Sequence, residues 1–191
     1  VLLDLARRTI REALRRERAA ALAPVPLDLA PPFPVLRKPA GCFVSLHEGA
    51  THALRGCVGR LDAGDALWLA VQGAALGVLH DPRFTDDPVR LDELPRLAIE
   101  VSVLSPLLTC SDALDFDLLN DGVYLTFGQR TGCFLPQVAR ETGWTKEQLL
   151  ERLCTEKLGV PSVAWRHPDA TLHRFKCVVV GPAEFSGGIG Q

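Results

Sequence analysis

Leu54-Arg55-Gly56-Cys57-Val58-Gly59, read together with Gly41-Cys42-Phe43-Val44-Ser45-Leu46-His47 upstream, predicts a β-hairpin that turns at Glu48-Gly49-Ala50. Glycines on both sides of Cys57 let a second backbone or a ligand approach closely. In an extended strand, alternation places Arg55 and Cys57 on one face, about 7 Å apart at the backbone. A guanidinium at that range favours the thiolate, the reactive form of the thiol. The same cysteine also suits a buried, chemically silent place, because free cysteine is among the most buried residue types. A register centred on Gly49 and Ala50 sets Cys42 opposite Cys57 and His47 opposite His52. Those four do not make a metal cage. Five residues along a strand span about 17 Å, and odd spacing turns side chains to opposite faces.

Upstream, apolar residues at Leu3, Ala6, Ile10, Ala13 and Leu14 lie among arginines and glutamates, which predicts an amphipathic helix from Leu2 to about Leu22. Its basic run, Arg7, Arg8, Arg11, Arg15, Arg16 and Arg18, reads first as a solvated helix face. Six prolines between Pro24 and Pro39 exclude regular structure and predict an arm over residues 24–39 that wraps the surface.

Downstream of the hairpin, Asp62 and Asp65 precede a largely apolar helix from Leu67 to Leu79, with an aspartate as its cap. Gly73 and Gly77 within it suggest close packing. His80-Asp81-Pro82-Arg83-Phe84 follows as a loop in which Asp81 and Arg83 either carry function or hold the turn by their own ion pair. Leu97, Ile99, Val101 and Val103 alternate with Ala98, Glu100 and Ser102, a half-buried strand that Pro106 stops. Further strands are predicted at Val123–Phe127, Cys133–Leu135 and Leu172–Val180. Pro136 suits the start of a short helix through Glu141. Thr145 with Gln148 forms a capping box for a helix that Gly159 closes. The glycine-rich residues 186–191 read as a flexible tail.

Strands and helices interleave without βαβ repetition, so the fold class is α+β with a mainly antiparallel sheet flanked by helices. The chain has 191 residues and a net charge of −2, which fits one soluble domain. That charge, and the lack of basic residues clustered with aromatics, argue against nucleic-acid binding. No stretch is long and apolar enough to span a membrane, and no signal-peptide pattern opens the chain. Methionine is absent, so a short leader ahead of Val1 is open. Six scattered cysteines without a Cys-x-x-Cys pair fit a reducing cytoplasm.

Four segments occur in an order and spacing that resembles the AMMECR family: Leu54–Gly59, Asp81–Phe84, Ile99–Pro106 and Leu135–Ala139. The resemblance spans about residues 5–180. It implies one domain over residues 1–185 with a larger and a smaller lobe, and a cleft associated with the arginine-glycine-cysteine motif. Its matched positions are Arg55, Gly56, Cys57, Gly59, Asp81, Arg83, Glu100, Pro136 and Gln137. Bacterial members are associated with a Memo-type protein and a radical SAM protein, which are the partners the resemblance implies. The family places an arginine-glycine pair ahead of its leucine-proline-glutamine-valine segment, whereas Arg130-Thr131-Gly132-Cys133-Phe134 stands here. That departure bears on the contacts of this chain if the loop lines the cleft.

Two functions follow. One is an accessory or adaptor protein that grips a partner through a cleft built around Arg55 and Cys57, with Gly56, Gly59, Asp81, Arg83 and Gln137 lining it and Arg55 paired to Glu100 or Asp81. The other is a thiol enzyme with Cys57 as nucleophile on a small anionic or acyl-type substrate. Arg55 then stabilises the thiolate, and Glu100 or one of His47, His52 and His80 manages protons. Neither requires a metal or cofactor. Both rest on Arg55 and Cys57 opening side by side into a concavity.

Overall fold

The computed structural model describes residues 1–18 and 33–185. Residues 19–22, 24–32 and 186–191, on which the end of the first helix, most of the proline-rich arm and the tail were expected, lie outside the described residues. The fold is α+β, with two four-stranded antiparallel sheets and four α-helices among the described residues. The chain divides into two compact units, one of residues 1–103 with 178–191 and one of residues 104–177.

In the first unit, helix α1 (Leu2–Arg18) buries Leu5, Ala6, Ile10 and Leu14, the apolar face that its 3.6-residue period sets out. It packs on helix α2 (Leu67–Gly77), which buries Leu67, Val71, Ala74 and Ala75 in turn. Both cover a sheet of order β2-β1-β3-β8, where β1 is Cys42–Glu48, β2 Leu54–Arg60, β3 Leu97–Leu104 and β8 Cys177–Glu184. Val44, Leu46, Ile99 and Val101 form its floor. Among the described residues no helix is long and apolar enough to cross a membrane.

Three expectations need correction in this unit. Neither aspartate caps α2: its N-cap is Ala66, Asp62 and Asp65 both bind Arg60 at 3.1 Å, and the first amide of the helix, Leu67 N–H, donates to the Lys38 carbonyl at 2.9 Å. The hairpin register pairs Cys42 with Arg60 and Ser45 with Cys57, so Cys42 does not face Cys57. The described part of the arm is also not wholly irregular, since Pro34–Arg37 forms one 3-10 turn.

Of the two helical glycines, Gly77 packs closely. A Cβ there would stand 2.8 Å from Val58 Cγ1, whereas at Gly73 nothing lies within 4 Å. Gly73→Ala is therefore expected to raise stability by roughly 0.5–1 kcal/mol, from helix propensity and a smaller unfolded ensemble, measured as a higher midpoint of urea unfolding.

The second unit carries a sheet of order β4-β7-β5-β6, with β4 Leu108–Thr109, β5 Gly122–Phe127, β6 Arg130–Phe134 and β7 Ala170–Phe175. Helix α3 (Pro136–Thr142) starts on proline as predicted. Helix α4 (Lys146–Arg152) starts on the Thr145/Gln148 capping box, runs into a π turn over Leu153–Leu158 and stops at left-handed Gly159. Val123, Leu125, Phe134, Leu149, Leu150 and Trp165 belong to its core. The single strand expected at Leu172–Val180 is two strands in different sheets, broken at Lys176, whose N–H donates to Ser105 Oγ and whose carbonyl accepts from Ser105 N–H, each at 2.9 Å. Alternation runs through both, so the pattern alone does not reveal the break.

Candidate functional site

The Leu54–Gly59 motif lies on β2, which among the described residues is one of the two edge strands of the first sheet. Pairing shifts between Leu46/Gly56 and His47/Leu54, which leaves Arg55 as the extra residue of a β-bulge. A bulge interrupts alternation and re-aims the side chain it contains. The single face expected for Arg55 and Cys57 therefore does not carry across this point.

The Arg55 side chain is 7% exposed and turns to Glu93, with Nε donating to Oε2 at 3.1 Å and Nη2 to Oε1 at 3.4 Å. Asp87 adds a contact at 3.4 Å from the surface, and the guanidinium stands 5.6 Å from the centre of the Phe84 ring. Arg55 Nη1 is buried with no hydrogen-bond partner. Glu93, 10% exposed, also accepts from Arg90 N–H at 3.2 Å. This ion pair, rather than one to Glu100 or Asp81, is what the arginine makes.

Cys57 is half-buried, and its main chain is held by the loop after α2. Its N–H donates to Asp81 Oδ2 at 2.8 Å, and its carbonyl accepts from Arg83 Nη2 at 3.0 Å. Asp81 is buried and also takes Arg83 N–H and Nε at 3.0 Å each and Nη2 at 2.6 Å. Pro82 presets the 3-10 turn Pro82–Phe84 that brings Arg83 back onto Asp81. The hydrogen bonds from Arg83, followed by those from main-chain amides, hold the Asp81 carboxyl far below the usual carboxylate range against the effect of burial. Arg83 is raised in turn, first by Asp81 and in smaller part by the Cys57 thiol. The guanidinium beside that sulfur is thus that of Arg83. Together Asp81 and Arg83 stand in for a neighbouring strand, satisfying the N–H and C=O that Cys57 presents at an open sheet edge.

Glu100 lies on β3 opposite Ser45, which is itself opposite Cys57, so the three share a face. Two inter-strand spacings, about 10 Å, separate Glu100 from Cys57 at the backbone. Gly56 sits where a Cβ would come within 2.9 Å of Val78 Cγ2. His47 Nδ1 stands 3.4 Å from the His52 carbonyl. Gln137 belongs to the second unit, in the first turn of α3, and its Oε1 is buried with no partner. Arg130–Phe134, the segment that departs from the family pattern, is strand β6 of that unit. Among the described residues no group of three or more His, Cys, Asp or Glu is placed to hold a metal ion. Glu93 is the site residue that sequence reasoning missed, because Leu91-Asp92-Glu93-Leu94-Pro95 has no feature that points to an arginine 38 residues upstream.

Comparison with known proteins places these features in one family. The chain is 36% identical over 188 residues to a protein of Methanothermobacter thermautotrophicus, covering 93% of this chain and 91% of that one. It is 34% identical over 186 residues to a protein of Pyrococcus furiosus, covering 91% and 83%. The crystal structure of uncharacterized protein PH0010 from Pyrococcus horikoshii is similar at a TM-score of 0.79 and 33% identity, covering 93% of this chain and 88% of that one. The AMMECR1 family profile matches residues 3–180, and the chain belongs to that family.

Proposed function

We propose that this protein is an accessory or adaptor protein of the cytoplasm that binds partner proteins through the surface around Arg55, Cys57, Asp81 and Arg83. The Memo-type and radical SAM proteins implied by the family resemblance are its candidate partners. The observation that supports this is the engagement of the charged groups. Asp81 accepts four hydrogen bonds, from one residue's amide and three donors of Arg83, and Arg55 is neutralised by buried Glu93. These groups hold β2 in shape, where a hydrolytic or acyl-transfer site needs a base free to take a proton. Gly56 and Gly59 serve close packing of the same strand, and Gln137 is a partner contact of the second unit in its own right.

A second reading is a thiol enzyme, favoured by the Arg83 guanidinium beside the Cys57 sulfur. Cys57 then serves as nucleophile toward a small anionic or acyl-type substrate, Arg83 favours the anion, and Glu100 acts through the strand row it shares with Cys57, while Arg55 stays paired to Glu93.

Iodoacetamide alkylation of Cys57 across pH, paired with pull-down of the Memo-type and radical SAM proteins from one genome, separates the two. The adaptor reading expects slow alkylation and a Cys57→Ser variant that still retains a partner. Rapid alkylation at neutral pH that Arg83→Ala abolishes, together with no retained partner, overturns it in favour of the enzyme.

A further inference from the structure

Between α2 and the C-terminal half of β2 runs a groove of about 240 Å³, lined by Val58, Gly59, Leu69, Ala70, Gly73 and Ala74, with Cys42 at its base. Three features describe what would fill it. First, Gly73 is an exposed glycine in the interior of a helix, and nothing occupies the space where its side chain would be. Glycine is unfavourable there, and no packing contact requires it. Second, among the described residues β2 is an edge strand, and the bonds from Asp81 and Arg83 end at Cys57. Gly59 is two residues on and opposite Phe43, so the alternation that turns the Cys57 N–H and C=O outward turns those of Gly59 outward as well. An open edge of this kind is met by another extended backbone. Third, the rim is acidic. Arg60 is engaged at 3.1 Å by both Asp62 and Asp65, which are 67% and 52% exposed, leaving one net negative charge. The floor adds none, since burial pushes the Cys42 thiol up to about 11, with Arg60 opposing that rise.

We propose that this groove docks an extended segment of a partner protein by strand addition to β2 at Gly59. One bulky apolar side chain of that segment fills the space beside Gly73, and a neighbouring lysine or arginine meets Asp62 and Asp65. The occupant is an extended peptide rather than a small molecule, because the edge supplies main-chain pairing and the groove has room for about one large side chain. The inference does not rest on the adaptor reading: of that reading's residues it shares only Gly59, and failure of the pull-down leaves it standing.

The test uses a phage library of random dodecapeptides panned on the whole chain. The expected result is an enriched class with one Leu, Ile, Phe or Trp beside a Lys or Arg. A synthetic copy should bind more weakly by tenfold or more in Gly73→Leu, and severalfold more weakly in an Asp62→Asn/Asp65→Asn variant. Bound peptide should slow hydrogen exchange at the Gly59 amide. Gly73→Leu is expected to fold, because apart from the adjoining residues and backbone of its own helix no atom lies within 4 Å of the new Cβ. Leu69→Asp, at a residue 45% exposed, gives a second test of the same groove. No enriched class, or enriched peptides that bind both variants as tightly as the parent, overturns the proposal. A parent dimer in sedimentation that Gly73→Leu dissolves also overturns it, and assigns the groove to a second copy of the chain.

Discussion

Glu93→Ala is expected to lower the unfolding free energy by about 4 kcal/mol, because it leaves the Arg55 guanidinium buried without its counter-charge. At 7% and 10% exposed, the pair is screened little by solvent, which separates it from surface pairs worth about 1 kcal/mol or less. Asp87 does not compensate, since it reaches Arg55 at 3.4 Å from a position 76% exposed to water. The companion result is the informative one. An Arg55→Met/Glu93→Leu double variant removes both charges and keeps an apolar fill against Phe84, so it should recover most of the loss. Urea unfolding of the parent, both single variants and the double variant closes the cycle. If the double variant folds stably yet no longer retains a partner, the arginine serves binding as well as folding. If all four unfold at the same midpoint, the Arg55–Glu93 pair does not hold β2 in shape.

Asp81→Ala is expected to cost about 3 kcal/mol, chiefly by stripping the Cys57 amide of its acceptor at a sheet edge and the Pro82–Phe84 turn of its cap. The share owed to Arg83 is small, because that side chain is 53% exposed and keeps its hydration when released. Asp81→Asn retains one acceptor oxygen and should fall between. The effect has a signature in pH. The folded carboxyl titrates far below its unfolded value of about 3.9, so the stabilisation is complete above that value and is lost progressively as pH falls below it toward the folded pKa. The stability difference between parent and Asp81→Ala should therefore be flat from about pH 5 to 8 and shrink as pH is lowered below about 4. A difference that stays constant through the acid range is incompatible with a carboxylate in this role. Loss of the clamp also frees the Cys57 edge groups, so the alanine variant should aggregate more readily through β2.

Local signals placed most of the framework. The Thr145/Gln148 capping box, Pro136 at the start of α3, Gly159 at a left-handed stop and the alternation of Leu97–Val103 each produce the element that they predict, although that strand buries Ala98 and Ser102 as well and is not half-buried as expected. The reason is that each works within a few residues, through a hydrogen bond or a backbone angle that the neighbouring side chains decide. The hairpin was legible as a hairpin, but its register was not. Choosing the loop midpoint shifts every partner, and the bulge at Arg55 arises from pairing across strands, which no residue of the motif encodes. The same limit made Asp65 look like a helix cap, because the competing Arg60 guanidinium is brought to it by the turn of the chain.

For the candidate site, sequence by itself determined the cast: Arg55, Cys57, Asp81 and Arg83 in motifs that belong to one family, on an α+β framework. Only the tertiary structure decided how they pair. Glu93 takes Arg55, Arg83 takes the place beside the Cys57 sulfur, and Asp81 closes the edge of β2. Ion pairs and strand edges join residues tens of positions apart. Their partners are selected by burial and by which groups the folded backbone leaves unsatisfied, and those quantities exist only once the chain has folded.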